Sequence, residues 1–212
     1  MELFGRGRSK LDRGIEAFSR RHWRQARRLL EQSVREEGRA SGDYHLGLMY
    51  RCGLGGERDL GAAAACFARA ADKGHAGAQT AYGVALRCGL GAPKDDDAAR
   101  ALFRAAAAAD DPRAMMQLAS MSPPGDARRL LTRASEQGHA PAMRRLGEML
   151  LAEAPVEALA WLYAAAALTG EEAGRERAAK LARELSAGEI DAAHKAGRAR
   201  VEHVERQARE RA

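Results

Sequence analysis

Nothing restricts this chain more than the fact that it repeats itself. Leu46-Gly47-Leu48-Met49-Tyr50-Arg51-Cys52-Gly53-Leu54-Gly55 recurs as Tyr82-Gly83-Val84-Ala85-Leu86-Arg87-Cys88-Gly89-Leu90-Gly91, an offset of 36 residues. The same offset carries Asp59 to Asp95, Ala63 to Ala99, Phe67 to Phe103, Ala70-Ala71 to Ala106-Ala107 and Ala78 to Ala114. A period in this range marks a supersecondary unit that buries its apolar face only by stacking on its neighbours.

Composition says what the unit is made of. Five Val, two Ile and three Thr in 212 residues are too few β-branched side chains for a sheet. The hydrophobic share of 46% is mostly alanine, the strongest helix former, which favours close-packed helices over a bulky core. Each unit therefore reads as two helices. Gly53-Leu54-Gly55 and Gly89-Leu90-Gly91 supply the left-handed positions that close a first helix. Asp59 and Asp95 stand where a second begins, accepting orphan amide hydrogens at its positive end. Gly47 and Gly83 let the two helices approach closely.

Weaker copies flank these two units. A third runs through Ala114, Leu118-Ala119, Leu130-Leu131, Ala134-Ser135 and Gly138, shortened because Gly138 follows Asp110 by only 28 residues, with Ser122-Pro123-Pro124-Gly125 replacing the Gly-x-Gly loop. A fourth passes through Ala142, Leu146-Gly147, Ala158, Trp161-Leu162 and Ala164-Ala165. Upstream, Gly14 to Phe18 and then Trp23, Ala26, Leu29-Leu30, Ser33 and Gly38 read as a degenerate helix pair. Prolines 93, 112, 123, 124, 141 and 155 fall near expected helix starts, where a missing amide costs nothing. The expected division is 1–40 for the degenerate pair with its basic arm, 41–170 for four repeats, and 171–212 for closing helices. Ser186 and Glu189 form a capping box in that last segment.

The pattern Ala-x3-Leu-Gly-x2-Tyr-x2-Gly-x-Gly-x3-Asp-x3-Ala-x3-Phe-x2-Ala-Ala-x2-Gly resembles the Sel-one-like repeat, a relative of the tetratricopeptide repeat. The resemblance implies an all-α fold, an α/α solenoid in which stacked antiparallel helix pairs form a right-handed superhelix. It also implies a non-catalytic adaptor or scaffold for other proteins, often in bacterial signalling or secretion. Some relatives are secreted and join successive units by disulfides; here the corresponding places hold residues such as Ala71 and Gln79, so that subclass is not supported. Cys52, Cys66 and Cys88 form no CxxC pair and read as free thiols, suited to a reducing compartment. The opening Met1 to Arg6 has no apolar signal-type run and no later stretch is long and apolar enough to span a membrane. The expected location is cytoplasmic.

No catalytic, cofactor-binding or metal-binding residue is expected. His75 and His139 both follow a glycine between units and read as turn residues; His22, His45, His194 and His203 lack partners at ligand spacing. Asp95-Asp96-Asp97 reads as a solvated helix start, and the Gly-Leu-Gly loops lack the context of a phosphate cradle. Net charge is +6, and of it the first forty residues, with 11 Lys+Arg against 6 acids, carry +5. Arg20-Arg21-His22-Trp23-Arg24 with Arg27-Arg28 offers the alternative function, contact with RNA or an acidic membrane through residues 6 to 28. In the tail, Val201, Val204 and Ala208 make a narrow apolar stripe, read as a projecting cap or a self-association seam.

In tetratricopeptide-like solenoids the first helix of each unit lines the concave side, which assigns a partner-binding surface by resemblance. With Leu46, Gly47 and Tyr50 packing inward, the groove positions are Tyr44, His45, Leu48 and Arg51. A shift of one period gives Thr80, Ala81, Val84 and Arg87. The third unit offers Met116, Gln117 and Ser120, and the fourth Arg144, Arg145 and Glu148. Apolar Leu48, Val84 and Met116 beside arginines suit a protein partner that presents an acidic segment with apolar anchors. Oligomeric state is not encoded in any of these features.

Overall fold

The computed structural model describes residues 9–210, and among them the regular structure is entirely α-helical. Two compact units divide the chain. The first, within residues 1–109, holds α1 (Lys10–Ser19), α2 (Trp23–Glu36), α3 (Ala40–Cys52), α4 (Leu60–Asp72), α5 (Ala76–Cys88) and α6 (Asp96–Ala108). The second, within 110–212, holds α7 (Pro112–Ala119), α8 (Pro124–Glu136), α9 (Ala140–Leu150), α10 (Pro155–Thr169), α11 (Glu172–Ala182) and α12 (Ala187–Glu210). Helices pack in consecutive pairs, α1 on α2, α3 on α4, α5 on α6, α7 on α8 and α9 on α10. The all-α class of stacked helix pairs is therefore the observed one. Arg6 and Arg8 of the basic arm, and the last two residues of the tail, lie outside the described residues.

In the first unit the loop glycines act as expected. Gly53 ends α3 at φ 67° and Gly89 ends α5 at φ 66°. In each case the glycine amide and the next one turn back to the helix, Gly53 to the Tyr50 carbonyl and Leu54 to the Met49 carbonyl, the hydrogen-bond pair of a Schellman stop. The second glycine of each loop does a different job. A Cβ on Gly55 would stand 2.5 Å from the Trp23 carbonyl oxygen, and one on Gly91 would fall on the Leu60 carbonyl. Each loop thus rests on the opening turn of the preceding second helix. Asp59 then caps α4 through the Ala62 amide at 2.9 Å, and Asp95 caps α6 through the Asp97 and Ala98 amides at 3.1 and 2.9 Å.

Between paired helices an aromatic ring fills the space a glycine leaves. Phe67 and Phe103 are fully buried, and a Cβ on Gly47 or Gly83 would approach their rings to 2.6 and 2.7 Å. The α1–α2 pair is tied to the repeats by Leu11, Ala17, Ala26, Leu29 and Leu30, which pack with Leu46, Met49 and Cys66. One charged group lies in this interior. The Asp43 carboxylate, 0% exposed, receives Arg69 at 2.8 Å and Lys73 at 2.7 Å, so α3 is pinned to α4 by two cations whose own side chains are 48% and 40% exposed.

In the second unit the shortened repeat is visible as an α7 of only 8 residues, opened by Asp111 and Pro112. Gly147 brings α9 onto α10, its missing Cβ facing the Ala158 carbonyl and Leu162 at 3.0 Å. α10 is buried on nearly all sides because α9, α11 and α12 all pack on it. The tail stripe is accordingly corrected: α12 does not project but runs back along α10. Ala193 and Gly197 are buried, Gly197 facing the Ala160 carbonyl at 3.1 Å, and Arg200 lies 4.0 Å over the Trp161 ring. Val204 packs against Gly138, Val201 is half-buried and Ala208 is exposed. The Ser186–Glu189 capping box is formed, with the Ser186 amide and hydroxyl both donating to Glu189 (2.8 and 2.6 Å); the hydroxyl bond holds the Glu189 carboxyl below its ordinary range. No helix among the described residues is long and apolar enough to cross a membrane.

Candidate functional site

The reactive side chains are placed by the helix ends, and most are spent on holding them. Among the described residues no group of three or more His, Cys, Asp or Glu is arranged to hold a metal ion. Asp96 pairs with Lys94 at 3.3 Å and Asp97 with Arg100 at 3.6 Å, while Asp95 caps α6. His75 proves to be an N-cap: its Nδ1 accepts the Ala78 amide at 3.1 Å. His139 holds the matching place before α9, but its side chain makes no capping bond and its buried Nδ1 has no partner among the described residues. Burial pushes the His139 pKa down. His203 bonds Gln207 and His194 stacks on Tyr163 with ring centres 3.9 Å apart. Cys52 and Cys88 are exposed at the ends of α3 and α5, whereas Cys66 is buried, and burial raises its thiol pKa despite Arg69 at 3.2 Å.

What remains is surface. On the first-helix side of the first unit a run of rings crosses three helices. Phe18 of α1 meets His45 of α3 edge-on at 5.5 Å, His45 meets Tyr44 at 5.5 Å, and Tyr44 stacks on His75 at the cap of α5 at 4.5 Å. The His45 ring is fixed by its Nδ1, 2.7 Å from the Ser41 carbonyl oxygen. Tyr44, His45 and Leu48 are half-buried, and Arg51 is exposed beside them with its guanidinium 5.7 Å from the Phe67 ring centre. The sequence did not disclose this aromatic run, because its members come from three different units and none repeats at the 36-residue period.

One step along, Val84 and Arg87 on α5 are half-buried, as is Ala81. Thr80 is a correction. It is only 6% exposed and its hydroxyl donates to the Ala76 carbonyl at 3.2 Å; the short side chain that replaces Tyr44 ends beneath the surface and satisfies itself on its own helix. In the second unit Met116 and Gln117 are half-buried and Ser120 exposed. Arg144 and Arg145 are exposed and Glu148 half-buried; Arg144 bonds Glu171 at 3.4 Å and Glu148 pairs with Arg177 at 3.2 Å. Arg145, Glu148 and Met149 share with Ala119, Ala127 and Leu131 a cavity of about 420 Å³. Each unit thus presents half-buried apolar side chains next to arginine on its first helices.

The architecture and the motif have known counterparts. Residues 40–75, 76–111 and 124–139 match the model of the Sel1 repeat. The chain carries Sel1 repeats. The first two matched spans coincide with the α3–α4 and α5–α6 hairpins, and the third covers α8 and the turn after it. A crystal structure of a Sel1 repeat protein from Oxalobacter formigenes superposes with a TM-score of 0.75 at 21% identity, covering 90% of this chain and 82% of that one. A protective antigen of uropathogenic Escherichia coli with the same type of fold gives a TM-score of 0.49 at 18% identity, over 95% of this chain and 62% of that one. The first of these shows the fold. No curated protein matches. In Sel1 terms the aromatic run and Arg51 sit on the first helix of the first matched repeat, and Val84 and Arg87 on that of the second.

Proposed function

We propose that this chain is a non-catalytic adaptor whose Sel1 first-helix faces receive a segment of another protein, acidic and carrying apolar side chains. The observation that carries the reading is the surface of α3 and α5, where half-buried Tyr44, His45, Leu48 and Val84 lie alongside Arg51 and Arg87. Half-buried aromatic and aliphatic groups supply desolvation, and the flanking guanidiniums select for carboxylates and speed encounter. Helix pairs of this kind supply surface rather than chemistry, and the titratable groups described above serve as caps and structural ties. Free thiols at Cys52, Cys66 and Cys88 suit a reducing, cytoplasmic setting.

Panning a random peptide library against the full chain tests this directly. Acidic peptides with leucine or aromatic anchors are expected to be enriched. Arg51→Glu and Arg87→Glu should each weaken the selected peptides about tenfold, roughly 1.4 kcal/mol, with helicity by circular dichroism unchanged. Selected peptides that bind an Arg51→Glu, Arg87→Glu, Arg145→Glu triple variant as tightly as the parent would remove the first-helix faces from consideration.

A further inference from the structure

The turn between α1 and α2 breaks the rule that the repeats themselves set. In the α3–α4 and α5–α6 repeats the first helix stops at a left-handed glycine, and the same pair of hydrogen bonds ends α1: the Arg21 amide donates to the Phe18 carbonyl and the His22 amide to the Ala17 carbonyl. Arg21 therefore occupies the place of Gly53 and Gly89, and it does so at φ 60°, a conformation that residues other than glycine, asparagine and aspartate rarely adopt. The helix stop itself calls for glycine there. An arginine at that place points to a use for its charge.

From position 21 to position 35 the exposed charged side chains are all basic. Arg21, Arg24, Arg28 and Arg35 are all exposed, and none has a carboxylate partner among the described residues, whereas Arg20 is held by Glu16 at 2.9 Å and Arg27 by Glu31 at 3.2 Å. Arg24, Arg28 and Arg35 fall within about 40° of one another around α2 and span roughly 16 Å along its axis. Glu31 falls on the same face between Arg28 and Arg35, but it is half-buried and turned to Arg27 and to the Tyr50 hydroxyl at 3.4 Å. The cluster is built only of arginine, whose planar fork matches phosphate bidentately. Among the described residues no large exposed apolar side chain accompanies it for insertion into a bilayer; Trp23 is half-buried against Phe18 at 5.4 Å.

We propose that the α1–α2 turn and the outer face of α2 bind the phosphodiester backbone of nucleic acid, without reading its sequence. Arg21, Arg24, Arg28 and Arg35 offer one guanidinium each, enough for about four phosphate contacts. The surface is separate from the first-helix face that carries the adaptor reading, and either reading stands if the other fails.

The test is fluorescence anisotropy of labelled single-stranded RNA and duplex DNA of mixed sequence, titrated with the full chain across a salt series. Four phosphate contacts predict a slope of log K against log salt near −3 for the single strand and about −3.6 for the duplex. Arg24→Glu with Arg28→Glu should weaken binding at least about thirtyfold, and Arg51→Glu should leave it unchanged. Arg21→Gly separates charge from fold: it should raise the melting temperature by about 2–4 °C through relief of the left-handed residue while weakening nucleic acid several-fold. Unchanged affinity in both the Arg21 and the Arg24/Arg28 variants overturns the proposal. So does an Arg21→Gly protein that melts no higher than its parent. Preferential binding of phosphatidylserine vesicles or polyglutamate over either nucleic acid overturns it in favour of a membrane or an acidic protein.

Discussion

Gly83 and Phe103 occupy one space between them: the ring lies where the glycine's side chain would be, and a Cβ built on Gly83 meets the ring edge at 2.7 Å. The same relationship holds one repeat earlier between Gly47 and Phe67, at 2.6 Å. Gly83→Ala should therefore destabilise the fold by about 1–3 kcal/mol, the range for overpacking a tight core. Gly83→Ala combined with Phe103→Leu should recover part of that loss, because the smaller side chain vacates the contested volume. Urea melts of the single and double variants check both expectations.

The buried Asp43 carboxylate predicts an asymmetry between its partners. Asp43→Ala frees two cations that already reach water, and should cost about 1–3 kcal/mol for the bonds and the hole. Replacing Arg69 and Lys73 together by methionine leaves the carboxylate buried and uncompensated, and should cost about 3–5 kcal/mol. Either cation removed alone should cost less than half of the double change, since the other still holds the carboxylate. A denaturant series on the four variants reads this out.

His139 makes stability depend on pH. Burial lowers its pKa, with Asp111 opposing and Arg113 adding to the effect. The unfolded chain therefore takes up this proton at a higher pH than the folded one, so the stabilisation is present at neutral pH and is lost as pH falls below the ordinary histidine range. His139→Asn, which keeps a polar side chain suited to an N-cap position and removes the titration, should flatten the melting temperature between about pH 7 and pH 5. Thermal melts of parent and variant across that interval make the comparison.

The thiols should divide two to one. Cys52 and Cys88 are exposed, and Cys66 is buried with its pKa raised by desolvation. Dithionitrobenzoate should modify two thiols promptly and the third only as fast as the first unit opens. Prompt reaction of all three would contradict the packing of α4.

What the sequence disclosed, and what it did not, follows from how each feature is encoded. The hairpins around Gly53 and Gly89, the caps at Asp59 and Asp95 and the close helix approach at Gly47 and Gly83 were legible because each uses a residue with a single physical role, copied once per period; that the rings of Phe67 and Phe103 fill the space was not. The return of α12 along α10 was not, because its contact is made by Ala193, Gly197 and the guanidinium of Arg200, two small residues and a charged one that are not part of the apolar stripe at Val201 and Val204. Thr80 misled because a shift by one period carries position but not side-chain length. His75 showed itself as a turn residue; its use as a cap depends on the imidazole nitrogen facing the Ala78 amide, which spacing alone does not reveal. The arginine at position 21 was visible as one of several, and its left-handed backbone was not.

Gly55 rests on the Trp23 carbonyl and Gly91 on that of Leu60, so each of these two loops needs the opening turn of the preceding second helix, and α2 and α4 each supply such a turn to the loop that follows. A stretch of 36 residues is then a complete joint, plug and socket together. Copying residues 40–75 in tandem would insert a segment that carries both halves of that contact, the loop glycine Gly55 and the opening turn at Leu60, which gives this part of the chain a means of lengthening by duplication.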